Sequence, residues 1–534
     1  MAPQLKTHIT NLVEVASKHP DRPALKVPLL SDKGTFTGYE TLSFAQFWGD
    51  VENSARYWTQ ELSKKGLKQG DVVGLWLKGL SYLDGLVIWG ISRAGFTPQI
   101  FSVKLTSGEV ISTLLDGADA KAFLVEPSWV DKAKVNVPMI SIVDTRFMDL
   151  DHLPLAPVWV PSSDKDVVTI YHSSGSTSGM PKSIPVTVGW LEFCIIKMQE
   201  LLPQKEETVI AANGTFAHPA IFMVTTGVHA SAGSIILPNE MPCSSSEIKL
   251  MAKEYGLKSL FMYSSYLADR LRDAHSDLEL LRAFQSLEHI MFGGLPLEQE
   301  EASWSRAQGL KMKEVFASTE LGVLMSSVGG NGPDSTFLQP MNGTSYKLLP
   351  VNSGNLNSTE VSTSEQLLEL VVSAESRDCP VPALRNKETG NFHTGDLFVE
   401  VKPGLYESRG RNDDWIKMSS ALRCDTLAIE QNIMEKCAFD LIDRVVVVGS
   451  GRPSPAVLVE PKAEQADPLS LSKEILRRIT PFHERRYMHE RIDHVRYVII
   501  LPHGSLSKTA KGSVQRKLVE KAFQTQLDQV YASA

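Results

Sequence analysis

The sequence predicts an α/β protein with a large N-terminal domain of layered α/β subdomains that includes a β-rich part, and a small C-terminal α+β domain. Its 534 residues, 43% of them hydrophobic, exceed what one hydrophobic core usually organises. Helix-like and strand-like patterns alternate along the first half, which is typical of α/β layering. A polar segment at 410–414 precedes a last stretch in which helix-like and strand-like patterns again alternate. We therefore expect domains at 1–411 and 412–534.

The elements of the large domain follow in chain order. Residues 42–62 carry apolar side chains at helical spacing and begin near Ser43, a good N-cap. GDVVGLWL at 70–77 is a β-rich run after a glycine turn, and 82–95 returns to helical spacing. Later short apolar runs are predicted to be strands, at 122–126, 234–238, 258–263 and 287–294. In open α/β sheets, ligands bind where such strands end.

The region 326–365 is rich in Gly, Ser, Asn and Thr. It is predicted to form loops within the β-rich part, because the apolar run LLELVVS follows at once. The small domain is predicted to contain helix, strand, helix and strand at 427–437, 444–450, 470–486 and 495–501.

Composition argues against several classes of protein. The net charge is −8, so the basic footprint of a nucleic-acid-binding protein is missing. No apolar run reaches the length of a membrane span, and the N-terminus lacks the apolar region of a signal peptide. The five cysteines are widely spaced and form no C-x-x-C, which argues against a disulfide framework and a zinc site. We therefore expect a reducing, cytoplasmic setting and neither nucleic acid nor membrane as partner.

The segment VVTIYHSSGSTSGMPK, 167–182, joins an apolar strand to a loop of small and hydroxyl residues. Small residues let backbone N–H groups approach phosphate oxygens, hydroxyls donate further hydrogen bonds, and a lysine adds positive charge. The candidate phosphate-binding residues are Ser173, Ser174, Gly175, Ser176, Thr177, Gly179 and Lys182. A polar surface loop is the alternative, because Ser and Gly dominate ordinary turns. The segment is not the P-loop of NTPases, since Met-Pro-Lys rather than Lys-Ser/Thr follows Gly179.

SSGSTSGMPK resembles the signature loop of the adenylate-forming enzymes, which include acyl-CoA ligases, luciferases and the adenylation domains of nonribosomal peptide synthetases. This chain carries one extra residue there, so the neighbourhood of Ser178 departs from the family pattern. The resemblance implies the family's fold, in which the small C-terminal domain is mobile. It also implies ATP and Mg²⁺ as cofactors and AMP as a product-state ligand.

FGGLPL at 292–297 resembles the family's glycine turn, which lies against adenine. The resemblance implies that Gly293 and Gly294 contribute to the nucleotide site. A glycine pair after an apolar strand is also an ordinary turn.

VFASTE at 315–320 resembles the aromatic-Gly-x-Thr-Glu motif, although Ala317 replaces its glycine. By this resemblance Phe316 flanks adenine, Thr319 contacts the α-phosphate and Glu320 holds Mg²⁺. A carboxylate facing Mg²⁺ is physically sensible, because hard oxygen ligands suit that ion.

FHTGDLF at 392–398 and GRNDDWIK at 410–417 resemble the family's Thr-Gly-Asp motif and its Gly-Arg-x-Asp-Asp motif. The resemblance implies that Asp396 accepts hydrogen bonds from both ribose hydroxyls and that Arg411 also contacts the ribose. Asp413 is then the pivot between the domains. Alone, one fragment is a common turn and the other a plausible exposed linker.

The final motif departs from the family, whose usual ending places a lysine after a glycine to contact the carboxylate and the α-phosphate. In LSKTAKGSVQRK, 506–517, Ser513 occupies that position and Lys511 precedes Gly512. The reaction needs a cation that neutralises charge building on the α-phosphate and carboxylate. Lys511 is therefore the candidate catalytic lysine and Lys508 the alternative. An ordinary basic surface loop is the other interpretation.

The nature of the acid is indicated by Phe216-Ala217-His218-Pro219. Amino-acid-activating members carry Phe-Asp-x-Ser here, and their aspartate pairs the substrate ammonium. Ala217 cannot do so, and an unpaired buried cation is costly, so we expect an acid other than an α-amino acid. His218 resembles the catalytic-site histidine of aryl- and acyl-activating members, or it is structural. The candidate pocket residues for an aromatic acid, which plain core packing would also explain, are His218, Phe222, Tyr263 and Phe292.

The hinge region and KGSVQRK most resemble the adenylation domain of fungal carboxylic acid reductases. The resemblance implies transfer of the acyl group to the phosphopantetheine thiol of a downstream carrier domain. No carrier-type Gly-Gly-x-Ser follows residue 520 and no G-x-G-x-x-G is present, so we interpret the chain as an excised adenylation module. A free-standing aryl- or acyl-CoA ligase is the main alternative, and a non-catalytic nucleotide-binding module is another.

Overall fold

The computed structural model describes most of the chain, in two compact units. The residues outside the description are 1–4, 104, 106, 133–134, 174–180, 203–207, 295, 331, 352–365, 413–414, 420–422, 463–466, 485, 487, 507–513, 515 and 533–534. The first unit comprises Met1–Ser173, Pro181–Ser345 and Val372–Phe392. The second contains Tyr346–Val371 and His393–Ala534.

The first unit alternates helices and strands. Its helices are α1 (His8–Lys18), α2 (Phe44–Ser63), α3 (Tyr82–Arg93), α4 (Gly108–Gly117), α5 (Val188–Leu201), α6 (Pro219–His229), α7 (Ser245–Glu254), α8 (Ser264–Ala274), α9 (Leu278–Ser286) and α10 (Gln299–Ala307). Its strands are β1 (Pro23–Leu30), β2 (Phe36–Ser43), β3 (Val72–Leu77), β4 (Thr97–Ser102), β5 (Ala122–Val125), β6 (Met139–Ser141), β7 (Val167–Ser173), β8 (Lys182–Thr187), β9 (Val209–Ala212), β10 (Ser234–Ile236), β11 (Ser259–Tyr263), β12 (His289–Gly293), β13 (Met312–Ser318), β14 (Gly322–Ser327) and β15 (Leu338–Pro340). The predicted α/β alternation is confirmed.

Two capping boxes begin the helices α2 and α3. The Ser43 hydroxyl accepts a hydrogen bond from the Gln46 N–H at 3.2 Å, and the Gln46 side chain accepts from the Ser43 N–H at 2.8 Å. Ser81 and Asp84 make the same reciprocal pair at α3. These bonds satisfy N–H groups that an uncapped helix leaves without partners. The N-cap predicted at Ser43 is therefore confirmed.

The strands of the first unit form two sheet regions. One has the order β6-β5-β3-β4-β7-β8, and only its β7–β8 pair is antiparallel among the described registers. The other runs β15-β14-β13-β12-β11-β9-β10-β1-β2. In its centre β13, β12, β11, β9, β10 and β1 are parallel neighbours. Parallel central strands, buried under helices, agree with the apolar runs of the sequence.

The second unit contains a β-rich part and a separate α+β part. Its strands are β16 (Tyr346–Pro350), β17 (Leu368–Val372), β18 (Phe392–Lys402), β19 (Leu405–Arg411), β20 (Trp415–Lys417), β21 (Arg423–Asp425), β22 (Ile442–Val448), β23 (Ala456–Pro461) and β24 (Val498–Ile500). Its helices are α11 (Thr426–Cys437), α12 (Pro468–His483), α13 (Arg516–Ala522) and α14 (Gln524–Ala532). Strands β16 to β19 are consecutive neighbours, and β22, β23 and β24 form a sheet with its own apolar core.

Strand β23 and the segment 326–365 differ from the sequence predictions. Strand β23 was not predicted, although AVLVEP is a short buried apolar run, because a turn-rich segment separates it from its neighbours. Strands β15 and β16 lie within 326–365, which was predicted as loops; β16 carries the apolar pair Leu348-Leu349 among the polar residues. In the described part of the chain, the helices lack the combination of length and apolar composition that crossing a bilayer requires.

Candidate active site

Four neighbouring parallel strands end at one edge of the sheet, and each leads into a predicted site segment. The strands β9, β11, β12 and β13 pair in parallel, with Phe261 opposite Ala212, Tyr263 opposite Gly293, and Gly293 opposite Val315. Carboxyl ends of adjacent parallel strands meet at the same edge, where open α/β sheets bind ligands. The segments brought together there lead to His218, Tyr263, Gly293, Gly294, Thr319 and Glu320.

The glycines that follow β12 are required by backbone geometry. A Cβ on Gly293 would lie 2.4 Å from the carbonyl oxygen of Val315 on the adjacent strand. Gly294 has φ +95°, and a Cβ there would lie 3.5 Å from the Tyr263 ring. A side chain at Gly293 would force the two strands apart, and one at Gly294 would be strained. These positions allow a close backbone approach, as a turn against a planar ligand needs.

His218 is the N-cap of α6 and lies beside Tyr263. Its Nδ1 accepts a hydrogen bond from the Ala220 N–H at 3.2 Å, so the proton of the neutral ring lies on Nε2. The rings of His218 and Tyr263 are 5.9 Å apart in an edge-to-face arrangement. The half-buried pair therefore places an imidazole ring against an aromatic ring at the ends of β9 and β11.

The backbone before His218 is attached to the turn after β3. The Phe216 N–H donates to the Gly79 carbonyl at 2.8 Å, and the Thr215 hydroxyl donates to the Lys78 carbonyl at 2.9 Å. Ala217 packs against the main core of the unit. The segment that carries His218 is thus held by these two hydrogen bonds and by the packing of Ala217.

Two of the aromatic residues predicted for the pocket lie in hydrophobic core. Phe222 is 0% exposed, and its ring packs on His8, Trp89 and Tyr171. Phe292 is 6% exposed and belongs to the core on one side of the sheet. Phe222 therefore lies where plain core packing, the alternative to a pocket role, predicts. Tyr263 is half-buried at its strand end, and burial raises its pKa well above the ordinary value.

Thr319 and Glu320 lie in the turn between β13 and β14, and helix α5 holds this turn. The Trp190 indole N–H donates to the Glu320 carbonyl at 3.0 Å. A Cβ on Gly322, whose φ is +68°, would lie 2.5 Å from the Cys194 sulfur. Trp190 and Cys194 are four residues apart and share one face of the helix. Since β8 leads directly into α5, this helix connects the Lys182 strand with the Glu320 turn.

A buried ion pair completes the support of that turn. The Lys197 ammonium, three residues beyond Cys194, donates to the Val323 carbonyl at 2.7 Å and to Asp378 at 2.6 Å. Asp378 also accepts hydrogen bonds from the hydroxyls of Thr344 at 2.8 Å and Ser376 at 2.5 Å. Both charged side chains are 0% exposed. Sequence reasoning missed this pair, whose one signal was a lysine within an apolar helix.

Strands β7 and β8 flank the predicted phosphate loop. Ser173 lies opposite Lys182 in their antiparallel pairing, so the two strands form the base of the loop. Ser174, Gly175, Ser176, Thr177 and Gly179 lie outside the described residues. A strand follows the loop, whereas in a P-loop a helix follows, which agrees with the distinction made from the sequence.

His172, at the base of this loop, was also missed. Its Nδ1 lies 3.0 Å from the Ile100 carbonyl and its Nε2 lies 3.1 Å from the Gln99 amide nitrogen. Burial lowers the pKa of His172 to about 4. The ring is therefore neutral near pH 7, donating from Nδ1 and accepting at Nε2. It supports the base of the loop and is not positioned as a cation for phosphate.

The two predicted ribose-binding residues lie on paired strands of the second unit. Asp396 on β18 is opposite Arg411 on β19, and Arg411 Nη1 is 3.3 Å from Asp396 Oδ1. Nη1 also donates to the Thr394 carbonyl at 3.1 Å. The structure thus brings Asp396 and Arg411 together.

The catalytic lysine candidates Lys511 and Lys508 and the pivot Asp413 lie outside the described residues. On both sides of residues 507–513, the chain makes hydrogen bonds or ion pairs with buried or half-buried carboxylates. The Leu506 N–H donates to the buried Glu460 carboxylate at 2.6 Å, and Arg516 pairs with Glu430.

Mg²⁺ fits the residues at this site. It usually takes one or two protein carboxylates and completes its shell with phosphate oxygens and water. Glu320 supplies one carboxylate on a fixed turn. Among the described residues, no group of three or more His, Cys, Asp or Glu side chains forms a metal cage of its own. Glu320 and a nucleotide together would make the donor set that this ion prefers.

Comparison with known proteins gives concordant matches. The family model described as AMP-binding enzyme matches residues 12–362, and that of the AMP-binding enzyme C-terminal domain matches 413–534. The chain is 29% identical over 517 residues to the AMP-binding domain-containing enzyme iboA of Amanita muscaria (strain Koide BX008), covering 94% of this chain and 98% of that protein. It is 22% identical to the adenylate-forming reductase stbB of Stachybotrys bisbyi, covering 84% of this chain and 42% of the reductase.

The fold matches solved structures as well. The o-succinylbenzoate CoA synthetase MenE from Bacillus subtilis, solved with ATP and magnesium ion, has a TM-score of 0.74 at 15% identity, covering 96% of this chain and 99% of the other. This likeness confirms the predicted fold. The chain spans nearly all of iboA and less than half of the reductase.

Proposed function

The chain belongs to the AMP-binding enzyme family of adenylate-forming enzymes, as its motifs predicted, and from this premise we propose that it activates an aromatic carboxylic acid to acyl-AMP and passes the acyl group to a thiol. The observation that supports the proposal most is the set of parallel strand ends at β9, β11, β12 and β13. They carry a donor histidine, an aromatic ring, a glycine turn and a carboxylate turn to one sheet edge.

In the proposed reaction, a carboxylate oxygen of the acid forms a bond to the α-phosphorus of ATP, and the bond from that phosphorus to pyrophosphate breaks. The Thr319 hydroxyl donates to the α-phosphate, and Lys511 neutralises the charge that develops there. Asp396 and Arg411 hold the ribose, and residues 173–182 hold the other phosphates. Reactions of this kind depend mainly on positioning and on charge stabilisation.

ATP and Mg²⁺ are part of the proposal, with AMP as the product-state ligand. The MenE structure that contains ATP and magnesium ion supports this choice. When bound at Glu320, Mg²⁺ would screen the negative charge of the triphosphate. Phe316, Gly293 and Gly294 would contact the adenine.

The acid is proposed to be aromatic and to lack an α-ammonium. Ala217 packs against apolar core and offers no carboxylate to an ammonium group. His218 is proposed to lie near the acyl group, and the Tyr263 ring beside it suits a flat apolar group. Phe292 would act through packing at the strand end, and Phe222 would support α6 from the core side.

The proposed acceptor is the phosphopantetheine thiol of a carrier domain, as in an adenylate-forming reductase, and CoA is the alternative. The adenylate-forming reductase among the relatives supports the carrier. The proposal keeps domains at 1–411 and 412–534, with Asp413 as the pivot of the mobile small domain. Replacing Asp413 with proline should leave adenylation intact and lower thioester transfer, and loss of both steps would contradict the pivot role.

The setting is proposed to be cytoplasmic and reducing. All five cysteines are buried free thiols. Burial raises the pKa of the Cys194 thiol to about 12, which keeps it protonated and unreactive.

The direct test is acid-dependent pyrophosphate release, measured over aryl, cinnamyl, aliphatic and α-amino acids with hydroxamate trapping of the acyl-AMP. We expect the strongest signal from an aryl or cinnamyl acid. Adding CoA or a carrier protein then identifies the acceptor. Nucleotide binding without acid-dependent release from any acid would contradict the proposal and favour a non-catalytic nucleotide-binding module.

Lys511→Ala, with Lys508→Ala as its matched control, tests the catalytic lysine. We expect Lys511→Ala to reduce pyrophosphate release by about 10²–10³-fold, because a preorganised positive group is lost from the transition state. Lys508→Ala should have a small effect. If Lys508→Ala loses activity and Lys511→Ala does not, Lys508 is the catalytic lysine. Near-normal pyrophosphate release in both variants would show that neither lysine has this role.

A further inference from the structure

The ribose-binding Asp396 lies directly after an irregular turn of strand β18. Gly395 has φ +71°, and a Cβ there would lie 3.1 Å from Arg411 Nη2. The register with β19 shifts immediately after Asp396. Because this backbone conformation is not that of a regular strand, the direction of the Asp396 side chain depends on what holds residues 393–396.

The neighbouring strand β17 holds this turn through one carboxylate. Glu369 Oε1 accepts a hydrogen bond from the Gly395 N–H at 3.2 Å, and Glu369 Oε2 lies 3.2 Å from His393 Nδ1. The Glu369 side chain is 21% exposed. A carboxylate that bonds the residues on both sides of Thr394 fixes the path of the chain between them.

Backbone and hydroxyl bonds extend this support to Asp396 itself. The Thr394 hydroxyl donates to the Leu370 carbonyl at 2.9 Å, and it accepts from the Asp396 N–H at 3.0 Å. Glu369 and Leu370 are adjacent on β17, so two consecutive residues of that strand bind three consecutive residues of the turn. The Asp396 carboxylate is thereby placed against Arg411 with 13% of its side chain exposed.

We infer that Glu369 is a positioning residue for ribose recognition: its carboxylate fixes the Gly395 turn so that Asp396 can accept hydrogen bonds from the ribose hydroxyls. The inference rests on the proposed function, in which Asp396 contacts the ribose. If the inference is right, Glu369 increases the affinity only for nucleotides that carry the ribose hydroxyls. A residue that merely stabilises the sheet would affect all nucleotides equally.

The experiment is calorimetric titration of the full chain with ATP and with 2′,3′-dideoxy-ATP, so that binding is measured without turnover. Glu369→Ala should weaken ATP binding about tenfold, the size expected for losing a charge-assisted hydrogen bond, and weaken dideoxy-ATP binding less than about twofold. Glu369→Gln keeps an acceptor for the Gly395 N–H and should weaken ATP binding less than about threefold.

Glu400, which lies on β18 with Gly395 and Asp396, provides a matched control. Its carboxylate accepts from the Gly404 N–H at 2.8 Å and from the Tyr406 hydroxyl at 3.3 Å, at the opposite end of β18. Glu400→Ala removes an equivalent carboxylate–backbone bond and should leave the ratio of the two affinities unchanged. If Glu369→Ala does not fold, Glu369→Asp replaces it, because a shorter side chain withdraws the carboxylate from Gly395 and should give the same ATP-selective loss.

An equal loss for ATP and dideoxy-ATP in the Glu369 variants would overturn the inference, and so would no loss for either. Wild-type protein that does not distinguish the two nucleotides would overturn the ribose contact of Asp396, and the inference with it. Intact discrimination together with an absence of acid-dependent pyrophosphate release would refute the proposed reaction alone and leave the positioning role of Glu369 standing.

Discussion

Two ion pairs, one in each unit, support segments that carry predicted site residues, and they differ in exposure. Lys197 and Asp378 are both 0% exposed, with 2.6 Å between nitrogen and oxygen. Arg411 and Asp396 are 45% and 13% exposed, with 3.3 Å between their charged atoms. In the first pair, each charged group has further hydrogen-bond partners within the protein. In the second pair, Asp396 remains partly accessible.

The difference follows from the cost of desolvating charge. A buried ion pair is stable only if its hydrogen bonds are satisfied, and it then fixes the surrounding backbone firmly. Lys197 does this for the segment after the Glu320 turn. A half-exposed pair contributes little to folding but can still bond an incoming ligand. The first pair is therefore expected to matter for stability, and the second for binding.

The largest expected effect comes from Lys197→Met, which leaves Asp378 as an unpaired buried charge. We expect the free energy of unfolding to fall by about 3–5 kcal/mol. Chemical denaturation followed by tryptophan fluorescence measures the change. The double variant Lys197→Met/Asp378→Leu removes both charges and should recover at least half of the loss. A loss below about 1 kcal/mol in the single variant would show that the pair is not important for folding.

The contrast also shows what could be predicted from sequence. The site motifs are local, so the resemblance of the segments 292–297 and 315–320 to the family's motifs was sufficient to propose their roles. The Lys197–Asp378 pair joins residues 181 positions apart, and no local pattern in one sequence identifies such a partner. Glu369 and Gly395 pose the same problem at a shorter separation.

Apolar residues were harder to assign than polar ones. Phe222 and Tyr263 were both proposed to line the pocket, since an aromatic residue near a strand end suits either a pocket or a core. Phe222 is completely buried on α6, whereas Tyr263 lies at the end of β11 beside His218. The packing around each residue determines whether it lies in the core or at an accessible strand end, and this packing depends on the whole fold.

A smaller effect is expected from Glu314, which lies on β13 two residues before Phe316. Burial raises the pKa of its carboxyl from 4.5 to about 7. The folded state thus binds this proton more tightly than the unfolded state, and the stabilisation is fully present below pH 4.5 and is lost as pH rises through about 7. Glu314→Gln removes the titration, so we expect it to be about 3 kcal/mol more stable than wild type at pH 8.

Urea denaturation of wild type and Glu314→Gln at pH 5 and pH 8 gives the measurement. The difference between the two proteins should grow between these values of pH. Glu254, an exposed residue at the end of α7, supplies the control, and Glu254→Gln should show no comparable growth. A constant difference for Glu314→Gln would contradict the raised pKa.

The smallest effect on stability is expected from Arg411→Met. Because the pair with Asp396 is half-exposed, the free energy of unfolding should change by less than about 1 kcal/mol. ATP binding should nevertheless weaken about five- to tenfold, since Arg411, the proposed donor to the ribose, also binds the Thr394 carbonyl and is lost. Arg477→Met removes an exposed arginine paired with Glu474 and should change neither quantity. A variant of Arg411 that destabilised the protein as much as Lys197→Met, with ATP affinity unchanged, would reverse the roles assigned to the two ion pairs.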